Sequence, residues 1–324
     1  MCKCACIDKG NEKPYKGEIS LKKLYGEKDT INHSKYILNW VRIVIQNYNY
    51  ENEMLLFNNY ANDLVMSNSI TSTRVNQLPP FEFTQLQSRN LELREPTVLE
   101  SGAIYCGYWQ DEEREGKGVQ LWQDSAIYFG YWHNGKANGN GRLIHEDGDI
   151  YEGGWVNDKA EGYGMYIHQN GTVYEGHWKN DLQHGSGKEK WPDGSAYEGN
   201  FEIGVKSGRG KFIWADYSEY DGNFVNNNIE GKGKYIWADG RMYIGEWKDN
   251  KMHGKGKFIW PDGRIYEGDY VFDKKEGWGE FTYPNGKKYN GEWRNGKQEG
   301  RGSVESLNGV KQVGQWKEGR WISS

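Results

Sequence analysis

The sequence predicts a mainly β protein: an elongated single antiparallel sheet of consecutive 23-residue β-hairpins, preceded by an N-terminal α-helical segment. Three observations carry this. A tyrosine returns every 23 residues, at Tyr105, Tyr128, Tyr151, Tyr174, Tyr197, Tyr220, Tyr243, Tyr266 and Tyr289. Around each tyrosine, polar and apolar residues alternate, as in Tyr197-Glu198-Gly199-Asn200-Phe201, and a period of two marks a half-buried strand. Between one β-rich segment and the next tyrosine stands a tight-turn signal, such as Asp147-Gly148, Asn170-Gly171, Asp193-Gly194 or Asp262-Gly263; both residues of such a pair tolerate positive φ.

Taken in chain order, residues 1–33 are polar, mixed in charge and short of apolar residues, the composition of a tail. From Ser34, Ile37, Val41, Val44, Ile45 and Tyr48 recur at helical spacing, and Met54, Leu55, Leu56, Phe57, Tyr60, Leu64 and Val65 extend the pattern. The segment 34–66 therefore reads as one helix or a broken pair. Its aromatic face, including Trp40, is a candidate partner-binding surface or a cap on the sheet's first edge. Residues 67–95, with Pro79-Pro80 and polar runs, suit an extended connector. The array occupies 96–324 as nine full units from Tyr105 with a half hairpin on each side. Two strands per unit at about 4.8 Å spacing predict a ribbon roughly 90 Å long.

Further columns keep the same phase. Glycine follows each tyrosine by two residues and an aromatic follows by four, so all three side-chain positions share one face of their strand. Paired glycines, such as Gly231 and Gly233, would make room for a neighbouring ring or permit local bending. A second aromatic-rich column, seventeen after each of the first eight tyrosines, runs Trp122, His145, His168, Trp191, Trp214, Trp237, Trp260, Tyr283. The face it joins depends on whether the hairpin loop holds two residues or three. His145 and His168 occupy aromatic positions in this column without the cysteine or carboxylate company of a metal site, so no metal and no cofactor is expected.

Composition narrows the function classes. Hydrophobic residues make up 36% and aromatics 15% of the 324 residues, with 44 glycines, which argues for a thin sheet held by ring columns over a thick globular core. A formal net charge of −5 gives no long-range pull toward nucleic acid. Three of the four cysteines crowd into the first six residues, which points to a reducing compartment. No apolar run is long enough to cross a bilayer and no secretory pattern opens the chain, so a cytoplasmic or cytoskeletal protein, soluble or peripherally attached, is expected. The 23-residue period absorbs the histidines and most tryptophans, residues 1–95 show no phosphate-cradling loop or nucleophile constellation, and the chain reads as a non-enzyme.

The motif Tyr174-Glu175-Gly176-His177-Trp178, followed by Gly185 and Gly187 and the Asp193-Gly194 turn, resembles the MORN (membrane occupation and recognition nexus) repeat over about two thirds of the chain. The resemblance implies an elongated twisted sheet of hairpins. It extends to radial spoke head and other axonemal MORN proteins, and so implies a structural scaffold docking proteins of a large cytoskeletal or ciliary complex, with the cilium axoneme as the place. A peripheral membrane module binding acidic phospholipids, or a regulatory subunit of an enzyme, is the alternative. Homodimerisation through the carboxyl-terminal edge is also allowed.

Departures from the repeat supply the candidate sites. The turn glycine becomes Ser125 in the first unit and Tyr217 in the fifth, and the strand tryptophan becomes Phe201, Phe224 and Tyr270. Tyr217, Phe201 and Phe224 are therefore candidate partner-binding residues. Lys188, Lys211, Lys234 and Lys257 form a column that is either a strip for acidic lipid headgroups or a solvated face offset by nearby carboxylates. Cys2, Cys4 and Cys6 are candidates for S-acylation.

Overall fold

The structure, a computed structural model, describes residues 69–79, 81–84 and 90–323. The polar tail with Cys2, Cys4 and Cys6, and the helical segment 34–66 with Trp40, lie outside the described residues. The fold class is as expected: 21 strands, each antiparallel to its neighbours, dominate the described chain. The chain divides between Leu182 and Gln183 into two compact units.

The first unit holds helix α1 (Ser69–Gln77) and strands β1 (Glu92–Val98), β2 (Ile104–Gln110), β3 (Glu113–Leu121), β4 (Ile127–His133), β5 (Lys136–Ile144), β6 (Ile150–Val156), β7 (Lys159–Ile167) and β8 (Val173–Lys179). Each strand pairs with the next. The second unit holds β9 (Leu182–Lys190), β10 (Ala196–Glu202), β11 (Val205–Ile213), β12 (Glu219–Val225), β13 (Asn228–Ile236), β14 (Met242–Lys248), β15 (Lys251–Ile259), β16 (Ile265–Val271), β17 (Lys274–Thr282), β18 (Lys288–Arg294), β19 (Lys297–Glu305), β20 (Lys311–Lys317) and β21 (Arg320–Ser323). These too pair consecutively, and the carboxyl-terminal flank closes a short hairpin, β20–β21, where a half hairpin was expected.

The tyrosine column is the core of both units. Tyr197 lies over Gly199 and Gly210, which face each other across β10 and β11. A methyl group on Gly210 would stand 2.4 Å from the Tyr197 hydroxyl oxygen, so only glycine admits the ring there. The hydroxyl donates to the carbonyl of Asn200 at 3.0 Å, which satisfies the one polar atom the ring takes into the core. The ring meets Phe201 of its own strand and Phe224 of the next repeat edge-on, each at 5.2 Å between centroids. Such edge-to-face pairs are worth about 0.5–1.5 kcal/mol each beyond the area they bury. In the second unit the alternation continues through Trp247, Tyr270, Trp293 and Trp316 and closes against Trp321.

The second aromatic column joins the same face. The Asp-Gly loop holds three residues between its closing pair: Trp214 N–H donates to Ser218 O, and Tyr217 N–H donates to Trp214 O. Phe212 pairs with Tyr220, and Trp214 follows two residues later, which returns it to the tyrosine side. Trp191, Phe212, Trp214, Tyr235, Trp237 and Phe258 then follow one another at 4.5–5.4 Å.

Among the described residues of segment 67–95, where an extended connector was expected, Ser69–Gln77 are helical. Helix α1 forms before Pro79 halts it, and Phe81 and Phe83 are buried. These two rings cover the opposite sheet face of the first unit, where Tyr108, Val119, Phe129 and Tyr131 replace the polar residues of later repeats. Phe83 meets Tyr131 at 5.6 Å, and Arg142 donates to the Pro79 carbonyl at 2.7 Å.

Candidate partner-docking site

Each repeat makes two kinds of turn, and each kind asks for particular residues. Between the first and second strands of a repeat lies a two-residue turn with both residues at positive φ, as at Asn157 (50°) and Asp158 (67°), Asn180 (49°) and Asp181 (67°), or Asn226 (49°) and Asn227 (68°). That is a type I′ turn, and Asn, Asp and Gly are its natural occupants. The Asp158 carboxylate accepts from Ala137 N–H of the preceding repeat at 2.7 Å, and Asn227 holds Lys206 N–H in the same way. A carboxylate such as Glu161 or Glu230 accepts the first turn amide, at Asn180 and Asp249. The turn is thus both a bend and a clasp between repeats.

At the other end of the strands only the glycine of the Asp-Gly pair takes positive φ, as at Gly194 (90°). The aspartate instead accepts the amide two residues on: Asp193 Oδ1 takes Ser195 N–H at 2.8 Å and the Ser195 hydroxyl at 2.6 Å. These bonds favour the carboxylate and hold Asp193 and Asp216 below the usual aspartate value.

Against these requirements three apolar residues stand out. Tyr217 occupies the glycine position at φ 65° and is 86% exposed. Ile203 begins a type I′ turn at φ 51° and is 69% exposed. Phe272 begins another at φ 45° and is likewise exposed. Left-handed backbone in a bulky or β-branched residue costs of order 1–3 kcal/mol. Opposite Ile203 and Phe272 the clasping carboxylate is also gone, replaced by His184 and His253, and His253 packs on Phe272 at 4.9 Å. Folding alone favours Gly, Asn and Asp at these tips.

The other sequence candidates fall differently. Phe201 and Phe224, each 3% exposed, lie inside the ring column and present nothing to a partner, a correction that follows from their place on the tyrosine face. Lys188, Lys211 and Lys257 pair with Glu198, Glu219 and Glu267 of adjacent strands at 2.8–3.1 Å, while Lys234 faces Ile244. The column is a field of alternating charge on a solvated face. His145 and His168 sit in the ring column beside Tyr166, and His168 Nδ1 lies 3.0 Å from Asp149 Oδ2. Burial lowers the pKa of His145, which disfavours the imidazolium form. Burial also pushes the Cys106 thiol up to about 12, far from the thiolate needed for reactivity.

Sequence reasoning missed a set of cations inside the aromatic face. Nine residues after the tyrosine, Arg114, Lys206 and Lys275 take the place held by Ala137, Ala160 and Ile229 in other repeats. Arg114 lies over Trp132 at 4.2 Å and is bonded to Gln120 and the Gly135 carbonyl. Lys206 sits over Trp191, Tyr197 and Phe201 at 4.9–5.6 Å, and its ammonium pairs with Glu189 at 2.8 Å. Lys275 sits among Trp260, Tyr266, Phe281 and Trp293 at 4.8–5.0 Å. No carboxylate reaches it among the described residues, and burial, with the nearby Arg264 charge, lowers its pKa to about 8. The ring faces attract the ammonium but give its three N–H donors no strong acceptor, so they recover only part of the lost hydration.

The family model described as MORN repeat matches residues 105–126, 128–150, 151–173, 174–196, 197–219, 220–240, 243–263, 266–288 and 289–309. No curated protein matches the chain. Among solved structures, the TCP10 domain of Danio rerio CPAP is 12% identical at a TM-score of 0.34, covering 68% of this chain and 98% of its own. The Drosophila melanogaster SAS-4 (dCPAP) TCP domain, in complex with a proline-rich motif of Ana2, is 14% identical at 0.31, covering 60% and 99%. At such scores the likeness carries no argument.

Proposed function

Because the chain belongs to the MORN repeat family, with nine consecutive repeats over residues 105–309, we propose that it is a non-catalytic scaffold that docks partner proteins within a large intracellular cytoskeletal assembly, and that this assembly is the axoneme of a cilium. The observation that carries docking is Tyr217, a bulky ring held at left-handed φ and almost fully in solvent, where the turn itself favours glycine. Ile203 and Phe272 repeat the pattern at the opposite strand ends. Partner anchors are enriched in tyrosine and other aromatics, because a rigid ring buries much surface at little entropy cost. The axonemal placement is an expectation carried by the family's repeat motif, and no geometry of the chain bears on it.

Fractionation of ciliated cells expressing the tagged full chain tests the reading. Retention in the detergent-insoluble axoneme is expected, and Tyr217→Gly should reduce that retention several-fold. Recovery in cytosol or on membrane vesicles would overturn the placement. Unchanged retention of Tyr217→Gly would remove the turn-tip anchor.

A further inference from the structure

Lys206 and Lys275 occupy the same register position three repeats apart, yet their surroundings differ in one decisive respect. Glu189 neutralises Lys206, whereas the residue at the equivalent repeat position beside Lys275 is Phe258. The Lys275 amine therefore lies in a ring cage without a counterion among the described residues. The groups facing it are Arg264 from the turn before β16 and Tyr266 from β16. Glu276, the next residue on β17, holds Asn295 N–H instead. Glu292 and Glu299, which with Glu276 and Trp293 line a cleft of about 550 Å³ alongside, hold Arg301 and Glu318 N–H.

We propose that Lys275 is a site of Nε-acylation, accepting an acyl group from activated carbonyl donors of the thioester class. The unprotonated amine adds to the carbonyl carbon, the carbon–sulfur bond breaks, and the thiolate leaves and takes up the amine's proton through water. The product is an uncharged amide, so acylation removes a cation that the cage desolvates without neutralising. At Lys206 the same step would strand Glu189 without its partner, which disfavours it.

The test uses the purified full-length protein and an uncharged acetyl thioester, with site-resolved mass spectrometry across pH 6.5–10.5. With its value lowered to about 8, Lys275 has a far larger unprotonated share at pH 7.5 than an ordinary lysine, for which the share is about one part in a thousand. Lys275 is expected to acetylate at least tenfold faster than Lys206 and than exposed lysines such as Lys232, with its rate levelling off above about pH 8. A rate no greater than theirs, or one still climbing through pH 10, overturns the proposal. Phe258→Glu places a carboxylate where Glu189 stands and should abolish the excess; a folded Phe258→Glu protein that keeps it also overturns the proposal. If that variant fails to fold by circular dichroism, the wild-type pH profile alone decides.

Discussion

Tyr217 shows how one residue can oppose the structure it sits in. Every other three-residue loop of the repeats uses glycine at that position except Ser125, which takes φ 72°. Relieving the left-handed strain by Tyr217→Gly should raise stability by about 1 kcal/mol, part of the gain being offset by glycine's greater freedom when unfolded. Chemical denaturation of the two proteins measures it, and a loss of stability would show that the ring packs where the structure leaves it in solvent. Gly210 represents the opposite case. Gly210→Ala thrusts a methyl group into the Tyr197 ring and should cost roughly 1–3 kcal/mol. An alanine tolerated within 0.3 kcal/mol, as an order-of-magnitude bound, would mean that the ring moves freely.

At the scale of the hairpin, the two turns divide the labour. The type I′ turns fasten each repeat to the one before it through residues such as Asp158 and Asn227. The Asp-Gly loops close mainly on themselves, through aspartates held below their ordinary value of 3.8 by bonds to the residue two places on, and at Asp149 the loop also accepts Gln169 N–H of the next repeat. A carboxylate with a lowered folded value contributes stability above its unfolded value and loses it as pH falls through the folded one. Melting temperature should accordingly hold steady from pH 7 to about 5 and fall below about 4. Replacing Asp193, Asp216, Asp239 and Asp262 with asparagine should flatten this acid limb, since Asn170 already accepts Thr172 N–H in the same geometry. An acid limb of unchanged slope would assign acid unfolding to other groups.

At the scale of the whole molecule, the two units use a common tyrosine face and differ on the opposite one. In the second unit that face carries pairs such as Arg209–Asp221 and Lys255–Asp269. In the first, around β2 to β4, it is largely apolar and lies under Phe81 and Phe83, with the Arg142–Glu152 pair beside it. Phe83→Ala should cost about 3–5 kcal/mol and expose Tyr131, Phe129 and Val119. Because contacts in a repeat protein are local, the loss should fall on the first unit, seen as faster amide exchange in β2 to β5 with β14 to β19 little changed. Uniform acceleration across both units would contradict local coupling.

The sequence determined the repeat, the strand pairs and the ring column, because a 23-residue period repeats each local rule until it stands clear of noise. It also marked Tyr217 as a departure from that rule. The apolar opposite face was legible in part: alternation fails at Ile127-Tyr128-Phe129-Gly130-Tyr131-Trp132, where both faces are apolar. What covers that face was not legible, since Phe81 and Phe83 reach it across a long separation and within a polar stretch. The tertiary structure also decided the loop length that sends Trp214 to the tyrosine side, the burial of Phe201 and Phe224, and the ion pairs along the lysine column. It alone set Lys275 among four rings. These depend on register and on contacts between neighbouring repeats, and a one-residue change of register reverses which face a side chain joins.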